Sequence, residues 1–415
     1  MSYALRSIDR ELDFLMRHAP AVALDGPKGV GKTATASRRA DYTWNVERSQ
    51  DREHLIADYE FRNTPAGTLF IDEWQHLPDS WNAVRRSVDT GAPPGRFLLA
   101  GSATPRPGAT THSGAMRILS LRMRPMGMHE RFPEEAAVSL GAMLAGESPE
   151  IAGTTEFKVG DYYEAITASG FPATPGMPAR VRNQYLDAYL QRVIDKDLPD
   201  QGYRVRRPDT LRRWLTAYGR ASSTVASQNK ILDAATLGGE RPAKTTATSY
   251  RDFLTQLWLL DPTPAWSPAL ESLRQLQQAE KHQLADPALA ARLLNLSART
   301  LGTPAGADMA GPLFESLASL TVRAIAQSEG ARMGHLRTNG GREEVDLIVE
   351  GDEGQIVAIE VKLSPEIEDH DVKHLKWLRR ALPDNVVDLV VITTGQRAYR
   401  RSDGIAVVPL VLLGH

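Results

Sequence analysis

Residues 21–33 read AVALDGPKGVGKT, and this stretch decides the fold of the first part of the chain. Its first five residues are a continuous apolar run that ends in an acid, which is typical of a parallel strand covered on both faces. The other eight fit G-x-x-x-x-G-K-[ST] at every fixed position, after a predicted strand and before a predicted helix. The glycines let backbone N–H groups turn inward around phosphate oxygens. The stretch therefore predicts a loop that binds nucleotide phosphates.

The predicted phosphate loop consists of eight consecutive residues. They are Gly26, Pro27, Lys28, Gly29, Val30, Gly31, Lys32 and Thr33. We expect Lys32 to reach the β- and γ-phosphates of ATP and Thr33 to ligate Mg²⁺. The alternative is a glycine-rich turn with a chance lysine, and the strand before the loop and the helix after it argue against that alternative.

Two further apolar runs, at residues 67–72 and 96–101, predict neighbouring strands of the same parallel sheet. The first ends in Asp72 and Glu73, where carboxylates would face the nucleotide metal. We expect Asp72 to bind Mg²⁺, usually through water, and Glu73 to orient the attacking water. The second is followed by Ser102, which would hold that water near the γ-phosphate. A simple strand-end cap is the competing interpretation of Ser102.

An arginine-rich stretch follows, with Arg117, Arg122 and Arg124 in an otherwise apolar segment. An arginine here could stabilise charge on the γ-phosphate, within the chain or across a subunit interface. A solvated basic face explains the three side chains about as well. Among them, Arg117 is the residue we assign to this role.

Size and composition limit the class of protein. The chain has 415 residues, 42% hydrophobic and 24% charged residues and a net charge of -2, values typical of a soluble multidomain protein that is not a polycation. It contains no cysteine, which excludes disulfides, cysteine nucleophiles and zinc–thiolate sites. No apolar run is long enough to span a bilayer, and the start of the chain lacks the apolar core of a secretory signal. We expect a cytoplasmic protein without a membrane partner.

The middle of the chain, roughly residues 136–275, is predicted to be mostly helical. Two short helices, a tight turn and an apolar end indicate a helix-turn-helix or winged-helix unit. Residues 203–213 (YRVRRPDTLRR) carry a basic cluster that could contact a phosphate backbone: Arg204, Arg206, Arg207, Arg212 and Arg213. A solvated face or a packing module between domains remains an alternative, so DNA stays open as a partner.

Residues 280–415 predict a small α/β domain in which a hairpin carries three charged residues on apolar strands. The first strand contains Asp346, and the second contains Glu360 and Lys362. Metal-dependent nucleases of the PD-(D/E)XK type place an acid and then E-x-K on two such strands, where the acids hold Mg²⁺ or Mn²⁺ and the lysine positions the nucleophile. A surface ion pair is the alternative, but the apolar neighbours of Glu360 and Lys362 argue that the pair is buried.

The register of this hairpin decides whether the three residues converge. A three-residue turn with Gly354 in the left-handed position would place Gly351 opposite Gln355, and Asp346 opposite Glu360. A two- or four-residue turn would put Asp346 on the other face. Glu315, on the preceding helix, matches the extra acid of many such nucleases. An exposed helix residue is its alternative interpretation.

The order of phosphate loop, LFIDE (69–73), AGSAT (100–104) and arginine segment resembles AAA-type ATPases. The stretches RMRPMGMHE, SGFP (169–172), LADPALA (284–290) and EVDLIVE…AIEVKL resemble a prokaryotic group that joins an AAA core to a C-terminal domain of unknown function with a nuclease-like fold. The resemblance implies a parallel α/β ATPase domain (1–135), a helical winged-helix-like domain (136–275) and an α/β nuclease-like domain (280–415). It also leaves a homo-oligomer open.

Two functions fit these expectations. The first is an ATP-hydrolysing protein whose nucleotide state controls a metal-dependent DNA-processing domain. The second is a nucleotide-dependent switch or scaffold whose C-terminal domain binds nucleic acid or a protein without cleavage. Loss of cleavage on Lys362→Ala would indicate the first function.

Overall fold

A computed structural model describes residues 3–103, 114–236, 241–268, 279–338 and 340–415. The N-terminal part is built on a five-stranded parallel sheet in the order β2-β3-β4-β1-β5. Its elements are α1 (Ser7–His18), β1 (Ala21–Asp25), α2 (Lys32–Ser37), β2 (Tyr42–Asn45), α3 (Ser49–Ala57), β3 (Leu69–Asp72), a 3₁₀ turn (Trp74–His76), α4 (Asp79–Asp89), β4 (Phe97–Gly101) and β5 (Leu119–Arg122). The three predicted strands β1, β3 and β4 are confirmed in one parallel sheet, each with a buried run of apolar side chains, but β4 lies between β1 and β3, so the strand that ends in Asp72 is not the direct neighbour of the loop strand.

Four short elements connect this sheet to the helical middle. They are α5 (Met128–Arg131), β6 (Val138–Ser139), α6 (Leu140–Leu144) and β7 (Gly153–Thr154). Both strands pair with the end of the chain, β6 with residues 413–414 and β7 with residues 397–398. Residues 138–154 therefore join the C-terminal part through backbone hydrogen bonds, whereas the sequence pattern placed them with the middle domain.

The middle of the chain is helical, as predicted. Its helices are α7 (Val159–Ala168), α8 (Ala179–Arg192) with a π-helical turn (Val193–Asp197), α9 (Leu198–Asp200), α10 (Pro208–Arg220), α11 (Gln228–Ala235), α12 (Lys244–Gln256), α13 (Pro287–Leu293) and α14 (Ala298–Leu301). On α10, Leu211, Trp214, Leu215 and Tyr218 are buried at helical spacing, so one face of this helix packs into the core. After α12, antiparallel bridges join Leu260 to Leu284 and Thr263 to Lys281. The predicted boundary at residues 275–280 lies partly outside the described residues.

The C-terminal part places a long helix against a seven-stranded sheet in the order β7-β12-β13-β11-β10-β9-β8. Its elements are α15 (Ala307–Ser328), β8 (Arg332–Arg337), β9 (Glu344–Glu350), β10 (Ile356–Val361), α16 (Lys373–Ala381), β11 (Val386–Thr393), β12 (Arg397–Arg400), β13 (Ala406–Pro409), a 3₁₀ turn (Leu410–Leu412) and β14 (Leu413–Gly414). The sequence pattern predicted the hairpin β9–β10 but missed β8, which extends it to three antiparallel strands.

Candidate functional site

The loop between β1 and α2 has the backbone that a phosphate-binding loop requires. Gly26 has φ +154°, and a methyl group added there would lie 2.2 Å from the carbonyl oxygen of Met123. Gly31 has φ +107°, in the region that favours glycine. Gly26 is thus required by close packing and Gly31 by its left-handed backbone, so the loop could not adopt this conformation with larger residues at these positions.

Lys32 is buried at the start of α2 and donates hydrogen bonds to the loop itself. Its ammonium lies 2.7 Å from the carbonyl oxygen of Gly26 and 3.0 Å from that of Pro27. Burial lowers the pKa of Lys32 to about 8, although the nearby carboxylates of Glu73, Asp25 and Asp72 act in the opposite direction. The amine is therefore held over the loop, where a nucleotide phosphate would replace two carbonyls as its partner.

Thr33 and Asp72 meet as the sequence predicted. The hydroxyl of Thr33 donates to both carboxylate oxygens of Asp72, at 3.1 and 3.2 Å, and Asn45 donates to the same carboxylate at 3.3 Å. Burial, then the charge of Glu73, raises the pKa of Asp72 to about 6. A hydroxyl and an acid side by side are oxygen ligands that suit Mg²⁺, so these residues fit the predicted metal. The sequence pattern gave no indication of Asn45.

Glu73, Ser102 and Gln75 form a second cluster next to Asp72. Glu73 follows β3 with φ +56°, and its carboxylate accepts a hydrogen bond from the Ser102 hydroxyl at 3.1 Å. Gln75 donates to the Ser102 hydroxyl at 3.2 Å and also to Glu73. The structure thus brings together the two residues predicted to hold the attacking water, and it adds Gln75, which sequence reasoning missed.

The helical middle of the chain covers the phosphate loop. The ammonium of Lys28 lies 2.7 Å from the carboxylate of Asp197, in the π-helical turn after α8. A methyl group added at Gly29 would lie 3.9 Å from Phe171. The loop therefore contacts both the π-helical turn and the SGFP stretch, so a conformational change in the loop would act directly on the middle domain.

Arg117 does not lie beside the phosphate loop of its own chain. It stands two residues before β5, at the edge of the sheet where the parallel strands begin, whereas the loop follows the carboxyl end of β1. Its guanidinium pairs with Asp89 at 2.8 Å, at the end of α4. The expected role within the chain is therefore wrong, because parallel strands put residues 117 and 26 at opposite edges. A role across a subunit interface stays a prediction.

The other two arginines of that stretch meet a buried aspartate. Arg122 and Arg124 contact Asp261 at 2.8 and 2.7 Å, and Arg323 of α15 contacts the same carboxylate at 2.6 Å. Burial alone would raise the pKa of Asp261, but the three guanidinium groups hold it well below its usual range. Asp261 therefore joins the nucleotide-binding sheet, the bridged segment after α12 and the long C-terminal helix.

The hairpin register is confirmed. Glu350 pairs with Ile356 and Leu347 with Ile359, the Gly351 N–H donates to the Gln355 carbonyl, and Gly354 has φ +80°. The turn thus has three residues. Continuing the ladder by one step puts Asp346 opposite Glu360, and Asp346 also accepts a hydrogen bond from the Val361 N–H at 3.0 Å.

An ammonium group occupies the centre of the predicted metal cluster. The side chain of Lys281 is 2% exposed, and its nitrogen lies 2.8 Å from Glu315, 2.9 Å from Asp346 and 3.3 Å from Glu344. Burial opposes the charge of Lys281, but the three carboxylates raise its pKa well above the ordinary value. Glu315 is therefore not an exposed helix residue, because it faces the cluster. No sequence pattern pointed to Lys281.

Glu360 and Lys362 form the pair that the strand pattern suggested. The Lys362 ammonium lies 2.9 Å from one carboxylate oxygen of Glu360, and the other oxygen is buried without a hydrogen-bond partner among the described residues. Burial and then the charge of Asp346 raise the pKa of Glu360 well above its ordinary value. Within the described ranges, no group of three or more His, Cys, Asp or Glu is arranged to hold a metal ion. With Lys281 in place, the cluster does not fit the predicted second metal.

Three family models match successive parts of the chain. Residues 18–132 match an AAA domain, residues 159–300 match a domain of unknown function (DUF8612), and residues 310–413 match a second domain of unknown function (DUF4143). None of these matches identifies a nuclease. In the described part of the chain, no helix is long and apolar enough to cross a membrane.

Similar whole chains come from mycobacteria. Uncharacterized protein Mb2031c of Mycobacterium bovis and Uncharacterized protein Rv2008c of Mycobacterium tuberculosis are each 26% identical over 413 residues, covering 95% of this chain and 81% of the relative. Among solved structures, the Walker-type ATPase PABY2304 of Pyrococcus abyssi is 12% identical, with a TM-score of 0.39 over 70% of this chain and 96% of its own. Drosophila ORC bound to DNA is 13% identical, with a TM-score of 0.23 over 60% and 83%.

The loop geometry and the family match lead to the same result. The loop carries Lys32 over its carbonyls, with Thr33 against Asp72 and Glu73 against Ser102 on the adjacent strands. Residues 18–132 of the chain form an AAA-type ATPase domain.

Proposed function

We propose that the protein binds and hydrolyses ATP as a nucleotide-dependent switch, and that its C-terminal domain binds a partner without cleaving it. The division into residues 1–135, 136–275 and 280–415 underlies this proposal, with residues 138–154 assigned to the C-terminal part and α13 and α14 assigned to the middle domain. The observation that carries the ATP half is the set of Lys32, Thr33, Asp72 and Glu73 around one loop.

Each residue of the set has a distinct task in the proposed reaction. Mg²⁺ bound by Thr33 and Asp72 would neutralise phosphate charge. Lys32 would exchange the carbonyls of Gly26 and Pro27 for phosphate oxygens. Glu73, oriented by its hydrogen bond from Ser102, would accept a hydrogen bond from the attacking water and align it with the γ-phosphate.

Lys28 connects the phosphate loop to the middle domain through an ion pair. Its ammonium is part-exposed and pairs with Asp197 outside the ATPase domain. Phosphates arriving in the loop would attract Lys28 and weaken this pair, which would release the π-helical turn. Asp261 forms a second connection, because its carboxylate contacts Arg122 and Arg124 of the ATPase domain and also Arg323 of α15 in the C-terminal part.

ATP turnover by the purified chain tests the ATP half. We expect measurable phosphate release that falls about 100-fold or more in Lys32→Ala, because an interaction with transferring phosphate is lost. Lys196→Ala, an exposed lysine one residue before Asp197, is the matched control and should turn over normally. Equal turnover in wild type and Lys32→Ala would contradict the proposal.

Lys281 favours a C-terminal domain without cleavage. Its ammonium already pairs with Glu315, Asp346 and Glu344, so a divalent cation would have to displace a buried, triply paired lysine. Binding of a nucleic acid or protein needs no such displacement. This arrangement is what makes the switch the better-supported function.

Metal-dependent cleavage is the second candidate, and the hairpin register favours it. Asp346, Glu360 and Lys362 converge, and one oxygen of Glu360 is left without a partner, as a cation ligand would be. Incubation of plasmid and linear DNA with protein, ATP and Mg²⁺ or Mn²⁺ separates the two candidates. Cleavage that disappears in Lys362→Ala would establish nuclease activity. Intact DNA under every condition would support the nucleotide-dependent switch without cleavage.

A further inference from the structure

The middle domain contains a groove whose chemistry the ATP site does not use. It has a volume of about 840 Å³ and opens between residues 203–207 and the beginning of α12. Its described lining includes Arg204, Arg206, Arg207 and Arg241 and no acidic residue. Since the whole chain has a net charge of -2, this concentration of arginine is a local property and not a consequence of a basic protein.

The neutral lining is also suited to phosphate. Thr210 lies in the first turn of α10, and Thr245, Thr246 and Ser249 lie in the first two turns of α12. These hydroxyls stand beside the amino ends of two helices of 13 residues each, where backbone N–H groups favour anions. Guanidinium forks and hydroxyl donors around one groove match phosphate oxygens better than they match an apolar ligand.

Two of the arginines are available to a partner. Arg204 and Arg206 are exposed, and neither forms an ion pair within the part of the chain that the structure describes. Arg241 differs, because it pairs with Asp233 of α11 at 2.8 Å. The floor is firm, since Tyr250 is buried and Tyr203 packs on Phe253 with ring centroids 4.8 Å apart. The groove thus has a packed aromatic floor below exposed cationic side chains.

The surrounding architecture argues for a polymer and not for a single nucleotide. Helices α10, α11 and α12 follow one another, and the antiparallel bridges 260–284 and 263–281 come next, an order found in helix-turn-helix units with a wing. The groove is open along the start of α12, the third of these helices. Such a helix is the one that approaches duplex DNA in helix-turn-helix proteins.

We propose that this groove binds the phosphate backbone of duplex DNA, with Arg204 and Arg206 as its main contacts. Binding is independent of base sequence to first order, because the main contacts are cationic side chains, which bind the phosphates of any sequence. The groove is separate from the ATP loop, so loss of DNA binding and loss of ATP turnover can be measured independently of each other.

Fluorescence anisotropy with a labelled 30-base-pair duplex and the full chain tests the proposal. We expect Arg204→Ala/Arg206→Ala to lower affinity about tenfold or more near 0.1 M salt and to reduce the salt slope by about 1.8, since each lost phosphate contact removes about 0.9. Arg332→Ala/Arg380→Ala removes the same charge at exposed positions outside the groove and should change neither value. ATP turnover, measured on every variant, should stay at the wild-type level.

Conservative variants and other ligands sharpen the test. Arg204→Lys/Arg206→Lys should retain most of the salt slope but bind more weakly, because charge remains while the planar fork is lost. The proposal is overturned if wild type does not bind the duplex, if the two double-alanine variants bind equally, or if the groove variant loses binding only to a single-stranded oligonucleotide or to free ATP.

Discussion

Replacement of Lys281 by methionine tests the charge balance of the C-terminal cluster. Methionine keeps most of the length and apolar stem of lysine but removes the ammonium. The carboxylates of Glu315, Asp346 and Glu344 then lose their common partner, with atoms that lay 2.8 to 3.3 Å from it. Burial already raises the pKa of Glu315 to about 8, so this carboxyl takes up a proton, while the carboxylates of Asp346 and Glu344 remain in a mostly buried site without the ammonium. We therefore expect the variant to be less stable than wild type.

The burial of the cluster sets the magnitude of this loss. Breaking a fully buried charge pair costs about 3–5 kcal/mol. Side-chain exposure is 15% for Glu315, 14% for Asp346 and 33% for Glu344, so water reaches part of the cluster and the lower end applies. We expect a loss of about 3 kcal/mol, equivalent to about 6–12 °C in the thermal transition of a domain of this size.

Thermal unfolding followed by circular dichroism, with and without Mn²⁺, is the assay. In Lys281→Met we expect millimolar Mn²⁺ to recover part of the lost stability, because the vacated carboxylates can then bind a cation and binding to the folded state stabilises it. Lys376→Met is the control: it makes the same substitution on α16, where the lysine is 39% exposed and pairs with Asp403 at 2.8 Å. This surface pair should cost about 1 kcal/mol or less and should not respond to Mn²⁺.

Two results would refute the reasoning. If Lys281→Met unfolds within about 1 °C of wild type, the ammonium does not hold the cluster together, since a loss of 3 kcal/mol must shift the transition further. If wild type gains as much from Mn²⁺ as the variant does, a cation binds without displacing Lys281, and the case against a second metal fails.

Three further predictions concern the nucleotide site and its connection to the rest of the chain. Affinity for Mg·ATP should fall below pH 6, as Asp72 with a pKa of about 6 takes up a proton, and above pH 8, as Lys32 with a pKa of about 8 loses one; a binding titration at several pH values measures both limits. Asp261→Asn should lower stability by about 3 kcal/mol in chemical denaturation, because one buried and two half-buried guanidinium groups lose their counter-charge. Gly26→Ala should abolish ATP binding in calorimetry, because its methyl group would lie 2.2 Å from the Met123 carbonyl oxygen.

Matched substitutions control these predictions. Asp252→Asn removes the same charge from an exposed position on α12 and should leave stability unchanged. Gly160→Ala, at a glycine of α7 with open space around it, should leave ATP affinity unchanged. A flat affinity between pH 5 and 9, a fully stable Asp261→Asn, or normal ATP binding by Gly26→Ala would each contradict its prediction.

Local pattern was sufficient for the parallel strands and for most of the nucleotide site. The glycine spacing of the loop and the acids at the end of β3 place Lys32, Thr33, Asp72 and Glu73 together because all parallel strands of one sheet end at the same edge. The same logic failed for Arg117, since a position two residues before a strand lies at the opposite edge. The sequence pattern did not show that Arg117 precedes a parallel strand and so lies at the amino-terminal end of that strand.

The C-terminal hairpin shows how far a turn signal reaches. Gly354 favours a three-residue turn because a left-handed residue closes that type of hairpin, and register then follows by counting. The count brings Asp346 and Glu360 together through contacts within 15 residues of each other. Counting residues along the hairpin cannot reveal a side chain from another segment of the chain, such as Lys281.

The sequence by itself determined the phosphate loop, its acidic partners and the hairpin register, because each depends on neighbours along the chain or on equivalent positions of adjacent strands. Only the tertiary structure decided what fills the acidic cluster and what covers the loop. Lys281 reaches Asp346 across 65 residues, and Lys28 reaches Asp197 across 169. Such ion pairs depend on how distant segments pack, and a lone charged residue carries no periodic signal of the partner it will meet.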